Sequence, residues 1–170
     1  MRFTKKLDIN LFDFFKDGTF DYIKLGQTKE CILNNFPDPD DNRMDLLSKR
    51  NNIWQYGNIQ FFFDDNILYS IFSDNFCNFN GGENLNIDKW ILNENNLTLI
   101  NILKILNDFN IDYEKETCDL NDIMLILKSG VALHFYNNKE IEDLNKNDYK
   151  MTSFHLTIKN IHDNKNIKNK

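Results

Sequence analysis

Few groups in this sequence can do chemistry near neutral pH: His134, His155 and His162, the cysteines Cys31, Cys77 and Cys118, and a large supply of carboxylates. His134 and His155 stand out of phase with the apolar residues of the two segments that carry them. If those segments pair as strands, both imidazoles come to one face. A zinc ion would need a carboxylate or thiolate beside them, and no spacing supplies one, so no metal is expected. His162 lies in a polar tail and carries no argument. The cysteines are odd in number and widely spaced, with no C-x-x-C. That pattern suits small buried thiols in a reducing compartment better than a disulfide framework.

Asp38, Asp40 and Asp41 form an acidic cluster. Read as a calcium loop from Asp38, the sixth position is Arg43 and the twelfth Lys49, where glycine and glutamate are needed, so the cluster reads as a solvated turn. Glycine is too sparse for a phosphate cradle, and no nucleophile elbow occurs. The chain therefore reads as a non-enzyme with no catalytic residue and no cofactor, a small hydrolase built on some carboxylate pair being the weakest of the readings. Binding is the better use of its residues. Trp54, Tyr56 and Trp90 are the aromatics most like interface anchors. Asp38, Asp40, Asp41, Asp64 and Asp65 are the candidate acidic contacts.

The charge supports that direction. With 26 acidic against 20 basic residues, the net charge is −6, which repels nucleic acid and anionic lipid and suits a basic protein partner. No segment has the length and apolarity of a membrane helix, and Asp8, Asn10 and Asp13 interrupt any signal-peptide core, so a cytoplasmic location is expected. Oligomeric state is left open.

The elements that would position these groups follow from periodicity. Leu7, Leu11, Phe14 and Phe15 are spaced for a short helix stopped by Gly18. Phe20 to Gly26 reads as a brief extended piece. Thr28 can cap a helix carrying Ile32, Leu33 and Phe36, ended by Pro37 and Pro39. Asp38 to Arg50 reads as loop. Ile53 to Phe63 and Ile67 to Phe72, broken at Asp64-Asp65-Asn66, read as a hairpin with a turn longer than two residues. In it Ile59, Phe61 and Phe63 face one way, Gln60 and Phe62 the other. In the second strand Tyr69 and Ile71 oppose Leu68 and Phe72. Both faces are largely apolar, so these strands are central, or a helix or a partner covers one side.

Asp74 to Asn84 is a loop, and Leu85 to Leu92 a short extended piece. Leu97 to Phe109 is the strongest helix, with Leu99, Ile102, Leu103, Leu106 and Phe109 on its apolar face. Strands then follow at Ile111 to Glu116, Ile123 to Leu127, Val131 to Tyr136 and Phe154 to Ile158. The fold class is α+β: a mainly antiparallel sheet with two or three helices packed on it, in two loosely repeated helix-plus-sheet halves. Residues 1–159 form a single domain, and 160–170 a flexible polar tail.

The segments Leu25-Gly26-Gln27-Thr28, Phe36-Pro37-Asp38-Pro39-Asp40-Asp41, Ile53 to Phe63 and Ile87-Asp88-Lys89-Trp90 together resemble a family of small bacterial proteins for which no catalytic residues are known. The first segment also looks like the helix motif of BamE-like and β-lactamase-inhibitor-like repeats, with Phe36 where that motif has glycine. The first resemblance implies a protein from variable genomic islands, where immunity proteins that neutralise toxins are common. The expectation is a protein-binding inhibitor of that type, with a structural or regulatory interaction module as the alternative.

Overall fold

The computed structural model describes residues 5–45, 50–93, 97–119, 122–137 and 149–158, so the tail from 160 lies outside the described residues. An eight-stranded antiparallel sheet dominates. Its strands are β2 (Asp41–Asp45), β3 (Arg50–Tyr56), β4 (Ile59–Asp64), β5 (Ile67–Ser73), β7 (Tyr113–Asp119), β8 (Asp122–Leu127), β9 (Ala132–Tyr136) and β10 (Lys150–Thr157), in the spatial order β2-β3-β4-β5-β10-β9-β8-β7. A small parallel pair, β1 (Leu7–Asn10) and β6 (Leu85–Asp88), stands apart from it. Three α-helices stand among the described residues: α1 (Leu11–Asp17), α2 (Lys29–Asn35) and α3 (Leu99–Asp108). This is the α+β architecture expected from the sequence.

The two halves repeat one plan. Each begins with a threonine-capped helix and continues as a four-stranded meander, and the last strands, β5 and β10, pair to join the halves. The Thr28 hydroxyl accepts from the Cys31 amide at 3.1 Å, and the Thr98 hydroxyl from the Asn101 amide at 3.4 Å. These bonds satisfy N–H groups that a first helical turn leaves without partners. Each cap residue then bridges to the first residue of its closing strand, Thr28 to Ile67 and Thr98 to Lys150. The flanking bonds match as well: Lys29 N–H to Asn66 C=O corresponds to Leu99 N–H to Tyr149 C=O, both at 2.9 Å. Even the irregularities correspond. Between β4 and β5 the register skips Tyr69, and between β9 and β10 it skips Thr152. The same bulge at the third residue of both closing strands marks a pseudo-two-fold axis between β5 and β10.

The core lies on one side of the sheet. Trp54, Tyr56, Phe61, Phe63, Leu125, Leu133, Phe135 and Phe154 point into it and meet Phe14 and Phe15 of α1, Ile32 of α2, and Leu99, Ile102 and Leu106 of α3. Ring contacts fix the packing: Phe15 to Phe154 at 5.3 Å, Phe20 to Phe61 at 5.5 Å and Phe36 to Tyr56 at 5.4 Å. Gly18, at φ 73°, ends α1 in the left-handed conformation and donates its N–H to the Phe14 carbonyl.

Several expectations are corrected. Leu7 to Asn10 is strand, because it pairs with β6, and the helix starts only at Leu11, capped by Asn10. Asp41 to Asp45 is an edge strand despite its polarity, held by backbone pairing to β3. The run from Ile53 to Phe63 is two strands, turned at Gly57-Asn58, with Gly57 at φ 56°. The Asp65-Asn66 turn is a two-residue one, both residues at positive φ, as a type I′ turn requires. The Tyr69 bulge puts Leu68 and Ile71 on the same buried side. Leu85 to Leu92 splits into β6 and a 3₁₀ turn from Trp90. Leu33 is exposed, and Phe109, though half exposed, packs one side of its ring against Phe12 and Trp90. Cys31 and Cys77 are exposed free thiols, not buried ones, and the side chain of Cys118 lies outside the described residues.

Candidate functional site: the open face of the sheet

All three helices lie on the core side, and among the described residues no element covers the other face. Strand alternation places Gln55, Gln60, Phe62, Phe72, Met124, Ile126, His134, Tyr136, His155 and Thr157 on that open side. The two-sided apolar pattern read in the hairpin is thus real, and its second side is solvent-facing. Phe62, Phe72, Met124 and Ile126 are half-buried, and Tyr136 is 49% exposed.

A row of rings crosses the four middle strands. Tyr69 lies 6.3 Å from Phe62 and Phe62 6.1 Å from Phe72, while Phe72 is the cross-strand partner of His155. His155 then stacks on His134, with centroids 5.0 Å apart. Between Phe62, Tyr69, Phe72 and His155 the face dips into a shallow depression of about 330 Å³, floored by Ser70 and Thr157, whose hydroxyls share a hydrogen bond at 2.7 Å. His134 Nε2 and His155 Nδ1 are 3.2 Å apart. Burial, and then the neighbouring imidazole of His134, hold the pKa of His155 below the ordinary histidine range.

Carboxylates flank this apolar centre. Asp41 and Asp64 share the open face toward one end of the sheet, and Glu114, Glu116 and Asp122 toward the other, with Lys150 on the same face at the start of β10, one strand removed from Asp122 across Tyr136. The face thus carries an aromatic centre with charged side chains toward its two ends.

The residues picked from the sequence as contacts fall in different places. Trp54 is 4% exposed and Tyr56 fully buried, so both belong to the core and not to a binding surface. The Tyr56 hydroxyl donates to the Pro37 carbonyl at 2.9 Å and ties the chain entering β2 to β3. Trp90 is half-buried at the edge of the core, its ring 5.1 Å from Phe12, 5.5 Å from Phe109 and 5.7 Å from the buried Phe15. Asp40 is exposed but committed to the fold: its carboxylate accepts from the Gly57 amide at 2.7 Å and the Glu83 amide at 2.9 Å. Asp38 is exposed beside it, and Asp65 sits in the β4–β5 turn. Asp41 and Asp64 are the two acidic picks that share the open face. Phe62, Phe72 and Tyr69 are not among those residues, although the second apolar face of the hairpin is the sequence signal for them.

Among the described residues no group of three or more His, Cys, Asp or Glu side chains converges as a metal cage, and no helix is long and apolar enough to cross a membrane. Compared with protein-family models, with curated proteins and with solved structures, the chain matches none.

Proposed function

We propose that this chain is a protein-binding inhibitor of the immunity type, which neutralises a cognate basic toxin by occupying part of its surface. The observation that carries the reading is the open face itself: an uncovered aromatic centre on rigid strands, flanked by carboxylates. Apolar rings on a preformed sheet lose little conformational freedom on binding and so make efficient anchors. The acidic flanks and the net charge of −6 favour a basic partner, speeding encounter more than they deepen affinity.

The test is co-expression with the product of the adjoining gene. The chain is expected to restore growth of cells producing that protein and to form a complex with it in purified form. Phe72→Asp and Phe62→Asp, which put a charge into the centre of the face, should abolish both effects while far-UV circular dichroism stays unchanged. A neighbour that is harmless or does not bind sinks the inhibitor reading, and a harmless neighbour that binds through the same face supports the interaction-module alternative. Full rescue by both aspartate variants would remove the open face from the mechanism.

A further inference from the structure

The histidine pair is unusual for a reason the repeat exposes. The matching bulges and the β5–β10 register make Phe72 the counterpart of His155, and Phe62 the counterpart of His134. In the first half these two positions hold a Phe–Phe contact at 6.1 Å, and in the second half an imidazole pair at 5.0 Å. An apolar ring therefore satisfies the fold at both positions. The second half carries nitrogen where the sheet does not ask for it, at the cost of partly desolvating two polar rings.

The geometry points to a divalent transition-metal site formed by His134 Nε2 and His155 Nδ1, taking an ion of the zinc, nickel or copper class. Imidazole nitrogens bind such ions at about 2.0–2.1 Å, so two of them at a tetrahedral angle on one ion lie about 3.3 Å apart. The observed separation is 3.2 Å. Two antiparallel strands hold both rings, so the spacing is set before any ion arrives. Contrary to the third ligand asked for from the sequence, no carboxylate or thiolate completes the set among the described residues, so the site is the minimal pair of imidazoles, and the solvent-open face leaves the remaining coordination positions to water. In the metal-free chain one ring donates the N–H in this contact to the other. On metal binding that proton moves to the far nitrogen of the same ring, and both facing nitrogens present lone pairs to the ion. The site depends on His134 and His155 alone, so it stands or falls independently of the proposed protein partner.

The test is titration of the whole chain with zinc or nickel chloride, followed through the imidazole nitrogen resonances. One equivalent should shift His134 and His155 together. His134→Phe and His155→Phe copy the residues of the first half and so should fold. Each should weaken binding by about a hundredfold, since one preset ligand is lost from a bidentate pair. His134→Gln serves if the Phe variant proves insoluble. Affinity should also fall as pH is lowered through the histidine range, because protons compete for the same nitrogens. Unshifted rings at about 1 mM metal, an affinity too weak to matter, would overturn the assignment. So would equal affinity in wild type and both variants, which would put the ion on other groups.

Discussion

Replacing Asp40 by alanine would remove a bracket that joins two distant loops. The carboxylate accepts from the Gly57 amide in the β3–β4 turn and from the Glu83 amide in the loop before β6. It also sits against Gly82, at φ 72°, where a Cβ would collide with the carboxylate. Hydrogen bonds to a charged acceptor contribute about 1.5–3 kcal/mol each when shielded. Asp40 is exposed, so the lower end applies and water recovers part of the loss. The expected cost is about 2 kcal/mol, or a fall in Tm of about 4–8 °C for a domain of this size. Urea denaturation of Asp40→Ala beside Asp38→Ala is the assay, with Asp38→Ala expected within about 0.5 kcal/mol of wild type. Gly82→Ala should displace the same carboxylate. The double variant should therefore cost clearly less than the two singles added together. An Asp40→Ala loss below about 0.5 kcal/mol, or strict additivity with Gly82→Ala, would refute the bracket.

The repeated plan makes a second prediction: Thr28→Ala and Thr98→Ala should each cost about 1 kcal/mol, and should add, because the two caps serve different halves; denaturant midpoints check both. The depressed pKa of His155 makes a third. The unfolded chain takes up this proton at a higher pH than the folded one, so the group's contribution to stability is intact above the ordinary histidine pKa and is lost as pH falls through the lower folded value. His155→Phe should flatten that part of the stability–pH curve, and an unchanged curve would assign the acid sensitivity to other groups.

The fold class was legible from residue types because it rests on local signals. Alternation in Ile59 to Phe63 and Val131 to Tyr136, the three-to-four spacing of Leu99, Ile102 and Leu106, and the stop at Gly18 all act within a few residues. Polar or ambiguous segments were not legible. Asp41 to Asp45 has no apolar face to announce a strand; only the backbone groups of β3 make it one. Leu7 has helical spacing to Leu11, and a parallel partner 78 residues away, Leu85, decides otherwise.

The candidate site divides the same way. Composition and periodicity alone established an acidic chain, strands apolar on both faces, and two histidines out of phase with the core. Which face is buried was a tertiary decision, because all three helices settle on one side and leave Phe62, Phe72 and the histidines outside. Tertiary packing also moved Trp54 and Tyr56 inward, since large rings are what a core of this size needs, and tied the Asp40 carboxylate to two backbone amides. The pairing of β5 with β10 brought the two halves' rings into one row, and no local pattern encodes that contact, because it joins the last strand of one half to the last strand of the other.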